Sequence, residues 1–129
     1  MQWLLKIPVS LIGVLMLSMG LRWLMAPSGI ASELGMPLLD GAGLSTQIGD
    51  LSAFFLCIGV FTLMGLSTRW PHWYYAAALL LGLTAFGRVL AWLLHGAAFL
   101  PKVIGPEVFF TVILLLAARI LCTKSERPS

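Results

Sequence analysis

The sequence predicts an all-α integral membrane protein, a bundle of four transmembrane helices. Of its 129 residues, 60% are hydrophobic and 10% are charged, whereas about 25% of residues are charged in a soluble domain. The apolar residues are concentrated in four runs that can cross, or nearly cross, a hydrocarbon core of about 30 Å. Because backbone polar groups in lipid must be satisfied within the segment, we expect each run to be a helix.

The four runs lie within one predicted domain that covers the whole chain, residues 1–129. They span, in order, residues 7–25, 48–66, 74–95 and 107–122. Pro27 follows the first run, Pro71 separates the second from the third, and Gly96 and Pro101 separate the third from the fourth. Such residues punctuate secondary structure. Pro106 suits the first turn of the last helix, where its missing N–H is not needed.

The first connection, residues 27–47, is the only long one. Its apolar residues Ile30, Leu34, Leu38 and Leu39 have a spacing that allows a short interfacial helix. An irregular loop is the alternative. The sequence leaves both open.

The basic residues predict the orientation in the membrane. One end of the predicted bundle carries Lys6, Arg69, Arg119, Lys124 and Arg127. Lys102 is the only basic residue in a connection at the other end. Basic residues accumulate on the cytoplasmic side, so we expect both termini in the cytoplasm and the first and third connections outside.

Ionisable residues lie within or at the edges of all four runs: Arg22, Asp50, Arg88 and Glu107. The predicted topology places all of them in the outer half of the membrane. Charges at membrane depth are costly unless they are paired or hydrated, so they usually face the bundle interior. Two are cationic and two are anionic. We therefore expect a polar cluster between the helices.

Helical spacing adds Thr84 and His95 to the stripe of Arg88, and Thr111 to the stripe of Glu107. The predicted cluster is Arg22, Asp50, Thr84, Arg88, His95, Glu107 and Thr111. Three interpretations remain open. The charges could form ion pairs that lock the helices together, or Arg22 or Arg88 could hold an anionic or carbonyl head group. The third interpretation is a proton or ion path.

Several classes of protein are disfavoured. No pattern of nucleophilic catalysis, nucleotide binding or metal ligation occurs, so we predict no catalytic residue, metal or cofactor. Cys57 and Cys122 lie in apolar runs without the spacing of a redox or metal site. The basic residues form no patch for nucleic acid. The first run lacks the acidic residue of small multidrug exporters, and the chain lacks the asparagine of small fluoride channels.

Short motifs in all four runs resemble an uncharacterised bacterial family of four-helix inner-membrane proteins, which is distantly similar to the DoxX-like group. They are Arg22 with Ala26-Pro27, Asp50 opening the second run, Gly87-Arg88 in the third, and Pro106-Glu107 opening the fourth. That family often has an arginine and a glycine pair after the acidic residue of helix two; here residues 51–55 read LSAFF, so this element is absent. The resemblance implies a bacterial inner-membrane bundle with no established reaction. DoxX-like relatives are described as accessory subunits or assembly partners.

These observations favour a non-catalytic accessory or assembly partner of another membrane protein. One alternative is a binder or carrier of a small lipophile, such as a lipid or quinone, at the charged cluster. Another is a membrane isomerase or oxidoreductase that uses Asp50, His95 or Glu107 as acid or base. The expected partners are membrane lipids and, in addition, either a larger membrane protein complex or a small lipophilic ligand. An exposed apolar face that pairs with another protein would favour the accessory subunit. A closed bundle with an internal cavity below Arg88 would favour the lipophile binder.

Overall fold

The computed structural model describes residues 2–122, which form five helices and no strand. The helices are α1 Gln2–Met25, α2 Pro27–Glu33, α3 Gly41–Thr68, α4 Pro71–His95 and α5 Pro101–Ile120. All except α2 are long and apolar enough to cross a membrane. The described residues therefore form an all-helical bundle and support a multi-pass membrane protein. Lys124 and Arg127 lie outside the described residues.

The long helices extend past the predicted runs at most of their ends. Helix α3 begins at Gly41 instead of residue 48, α4 begins at Pro71 instead of 74, and α5 begins at Pro101 instead of 107. At its other end α5 is shorter than predicted, since it ends at Ile120 instead of 122. Helix α1 already includes Gln2. Hydropathy marks only the apolar part of a helix, whereas helical hydrogen bonding continues until the backbone geometry changes. Pro106 consequently lies inside α5 and not in its first turn.

Helices α3 and α4 each end at a residue in the left-handed region. Arg69 has φ 62° and its N–H donates to the carbonyl of Gly65, while Gly96 has φ 68° and its N–H donates to the carbonyl of Ala91. A left-handed residue of this kind is a common helix terminator. Since Pro71 follows Arg69 so closely, α3 and α4 form an antiparallel pair.

The first connection is partly helical, since α2 covers residues 27–33 and residues 34–40 are not helical, so neither alternative describes the whole of residues 27–47. Helix α2 has seven residues and buries Ile30 and Ala31. Leu38 and Leu39 lie after it and are exposed. The residues from 41 onward already belong to α3. Helix α2 therefore packs against the bundle through a small apolar face.

The four long helices surround one core in the order α1, α3, α4, α5, and α1 also contacts α5. Helices α1 and α3 approach each other closely. A Cβ on Gly59 would lie 2.8 Å from the backbone nitrogen of Leu17, and one on Gly20 would lie 2.6 Å from the side chain of Leu56. Small residues let helix backbones approach closely in lipid. The two glycines therefore set the spacing of this helix pair.

The outer surface of the bundle is apolar. Exposed side chains include Leu79, Leu83 and Phe86 on α4 and Phe109 and Val112 on α5. A water-soluble monomer rarely exposes contiguous apolar surface of this extent. This surface fits a lipid environment.

Candidate ligand site

An ion pair between Arg88 and Glu107 connects α4 and α5 inside the bundle. Arg88 Nε donates to both carboxylate oxygens of Glu107, at 3.1 Å each. The side chain of Glu107 is 12% exposed and that of Arg88 is 28% exposed. At 1.5 Å per residue, Arg88 lies about 10 Å from the end of α4 and Glu107 about 9 Å from the start of α5. Both residues of the pair therefore lie well inside their helices, away from the helix ends.

Arg88 uses only its Nε group in this pair. Among residues 2–122, neither Nη1 nor Nη2 of Arg88 has a hydrogen-bond acceptor. A guanidinium has five N–H donors in a planar fork and accepts no hydrogen bond. Its two terminal nitrogens can therefore donate hydrogen bonds to an oxygen atom of another molecule.

A partly open cavity of about 280 Å³ lies next to this pair. Its inner wall is apolar and consists of Met16, Met19, Phe55, Leu81 and Phe110. Its ionisable lining residues are Glu33, Arg88, Lys102 and Glu107. Small-molecule sites in proteins usually measure about 300–1,000 Å³ and combine apolar walls with a few polar groups. The cavity has this character and the size of one small head group.

Arg22 pairs with Glu33, the last residue of α2. Its Nη1 and Nη2 donate to Oε1 and Oε2 of Glu33 at 3.0 and 2.6 Å. The two side chains are 39% and 60% exposed. The hydrogen bonds from Arg22 lower the pKa of the Glu33 carboxyl below its ordinary value. This fork–fork pair joins α2 to the end of α1 and places a neutralised carboxylate at the cavity.

The other predicted site residues lie elsewhere. Asp50 is exposed, has no ion pair among the described residues, and lines a separate groove with Met36 and Gln47. His95 is exposed at the end of α4. The hydroxyl groups of Thr84 and Thr111 donate to carbonyl groups of their own helices.

The seven residues predicted as one cluster are therefore divided in the structure. Of these seven residues, only Arg88 and Glu107 line the cavity. Asp50 lines the separate groove and His95 lines neither space. The three residues considered as acids or bases are thus not brought together, since only Glu107 is at the cavity.

Sequence reasoning missed Glu33 and Lys102 as site residues. Glu33 lies in a segment for which helix and loop remained open. Lys102 lies before the predicted start of the fourth helix, yet α5 begins at Pro101. Lys102 and Pro106 then share one helical face, and both line the cavity. Pro101 as a helix start was the signal that could have placed Lys102 there.

Within residues 2–122, no group of three His, Cys, Asp or Glu side chains could hold a metal ion. The two cysteines there are not joined, and Cys57 is exposed while Cys122 is buried. Comparison of the chain with known protein families, with curated proteins and with solved structures finds no match. The resemblance to the DoxX-like group stays a prediction.

Proposed function

We propose that this chain is a multi-pass protein of the bacterial inner membrane that binds a small lipophile in the Arg88 cavity. One observation carries the proposal: the terminal nitrogens of Arg88 have no acceptor among the described residues, and they adjoin a cavity with an apolar inner wall. A ligand with an oxygen acceptor on its head and an apolar body matches both parts of the cavity.

The chemistry of the cavity favours a carbonyl or carboxylate oxygen. A guanidinium presents a planar fork that matches such oxygens and forms strong charge-assisted hydrogen bonds. Glu107 neutralises Arg88 without occupying its terminal nitrogens. The ion pair thus orients the fork and leaves it available, so locking the helices and binding a ligand are compatible roles for the same pair.

The orientation that we propose places both termini in the cytoplasm and the cavity in the outer leaflet. Lys6 near the start of α1, Arg69 after α3 and Arg119 near the end of α5 share one end of the bundle. This distribution supports the cytoplasmic assignment of that end. The ligand would then enter from the outer leaflet or from the periplasm.

Thiol labelling tests this orientation. Cys57 and Cys122 are first replaced by alanine, and one cysteine is introduced as Ala97→Cys or His72→Cys. A membrane-impermeant maleimide should label the Ala97→Cys protein in intact cells and the His72→Cys protein only after permeabilisation. The reverse pattern would place the cavity in the cytoplasmic leaflet.

Native mass spectrometry of the protein, released gently from its own membrane, tests the ligand. We expect a defined small lipophile bound to the wild-type chain. Arg88→Lys keeps the charge opposite Glu107 but removes the planar fork, so the lipophile should be lost while the protein stays folded. Arg22→Lys is the matched control, because both terminal nitrogens of Arg22 are already engaged by Glu33.

The outcomes separate the candidate functions. A lipophile that persists in the Arg88→Lys protein would overturn recognition through the guanidinium. A second polypeptide in place of a lipophile would support the accessory-subunit prediction instead. A folded wild-type chain that carries neither would leave the cavity without a binding role.

A further inference from the structure

A second apolar space lies along the seam between α1 and α5. This seam groove has a volume of about 200 Å³. It is lined by apolar residues only, among them Pro8, Leu11 and Ile12 from α1 and Phe109 and Ile113 from α5. Leu11 and Phe109 are 65% and 61% exposed, so the groove is open at the outer surface of the bundle.

The seam groove adjoins the cavity beside Arg88. Leu15 and Phe110 line both spaces. Helices α1 and α5 also contact each other less extensively than α1 contacts α3 or α4 contacts α5. The seam groove and the cavity are therefore adjacent spaces along the same seam of the bundle.

The dimensions of the groove suit one hydrocarbon chain. From Pro8 to Leu15 the groove follows α1 for about 10 Å at the helical rise per residue. The groove is a single space of about 200 Å³ along one helix pair, which suits one hydrocarbon chain that lies along the seam.

The charges at the cavity favour an anionic head. Glu107 is paired with Arg88, and Glu33 is paired with Arg22. Lys102 also lines the cavity and has no ion pair among residues 2–122. The two pairs are neutral, so Lys102 leaves the site with one excess positive charge.

We infer that the ligand is a single-chain lipid with a carboxylate head, held with its head at Arg88 and Lys102 and its chain in the seam groove. This inference rests on the proposed function, because it specifies the ligand of the same cavity. The carboxylate would accept hydrogen bonds from the Arg88 terminal nitrogens, while the chain replaces membrane lipid against Leu11 and Phe109. The ligand would enter sideways from the bilayer.

The test uses the full chain in phosphatidylcholine nanodiscs and dodecanoic acid that carries a diazirine in mid-chain. After irradiation, peptide mapping should find the label on residues 8–15 of α1 and 109–113 of α5. Excess unmodified dodecanoic acid should remove the label. Butanoic acid should compete weakly, because it cannot fill the groove.

Ile113→Trp would fill the groove and leave Arg88 unchanged. We expect this variant to reduce labelling about tenfold, as the loss of a few buried methylene groups predicts. Leu93→Trp is the matched control, since Leu93 is an exposed aliphatic residue of α4 that does not line the groove. This control should be labelled like the wild-type chain.

Each failure has a distinct signature. Labelling that is independent of Ile113→Trp and of chain length, but sensitive to Arg88→Lys, would overturn the seam groove and keep the cavity as a binding site. Binding of a neutral quinone in preference to dodecanoic acid would overturn the anionic head and also keep the cavity. The absence of any competed label and of any bound lipophile would overturn both the inference and the proposed function.

Discussion

Glu107→Gln should destabilise the bundle far more than Glu33→Gln. Both substitutions remove the carboxylate from an arginine pair, so the chemistry of the change is the same. The pairs differ in burial, because the Arg88 and Glu107 side chains are 28% and 12% exposed and the Arg22 and Glu33 side chains are 39% and 60% exposed. The exposed pair has the more complete hydrogen bonding, so a larger loss of stability at Glu107 would have to come from burial.

The magnitude follows from the charge that each substitution leaves behind. Breaking a buried pair typically costs about 3–5 kcal/mol because the remaining charge is uncompensated. Arg88 is partly exposed and can extend toward water, so we expect about 2–3 kcal/mol for Glu107→Gln. Glu33→Gln should have a much smaller effect, since water solvates Arg22 when its partner is lost.

The assay is unfolding in mixed micelles with a rising fraction of sodium dodecyl sulfate, followed by tryptophan fluorescence. A second variant, Arg88→Met combined with Glu107→Gln, removes both charges and should recover most of the loss. Equal losses for Glu107→Gln and Glu33→Gln would refute the reasoning from burial. A double variant as unstable as Glu107→Gln alone would show that packing, and not an unpaired charge, causes the loss.

Three further predictions concern a helix contact, a buried hydroxyl group and the exposed ion pair. Gly59→Leu should cost about 3 kcal/mol or prevent folding, because its Cβ would lie 2.8 Å from a backbone nitrogen of α1. Gly87→Ala, with nothing within 4 Å, should be as stable as the wild-type protein in the same dodecyl sulfate unfolding assay. Tyr74→Phe should leave the free energy of unfolding unchanged or raise it by about 1 kcal/mol, since the buried Tyr74 hydroxyl has no hydrogen-bond partner among the described residues; a clear loss would reveal a partner for that hydroxyl. The stabilisation from Glu33, whose pKa is lowered, is present above its ordinary pKa of 4.5 and is lost as the pH falls through the lower folded value. The melting curves of the wild-type and Glu33→Gln proteins should therefore differ at pH 7 and converge at acid pH, and a constant difference would contradict the assignment.

The site was only partly predictable, because hydropathy indicates how deep a residue lies in the membrane but not how its helix is rotated about its axis. The apolar runs place Arg88 and Glu107 in the same half of the membrane, and their signs suggest a pair. Arg22 and Asp50 satisfy the same criteria but are not paired with each other in the structure. Arg22 instead pairs with Glu33, since α2 folds back against the end of α1.

The sequence by itself determined the all-helical architecture and its four long apolar helices. A chain with so few charged residues cannot give a helical bundle a polar surface. In lipid, each apolar run must also satisfy its own backbone hydrogen bonds, and it does so as a helix. Only the tertiary structure decided which side chains face the cavity, why Lys102 belongs to it, and where the seam groove opens. Those features depend on how each helix is rotated about its axis, and close contacts such as Gly59 against Leu17 set that rotation between residues far apart in the chain.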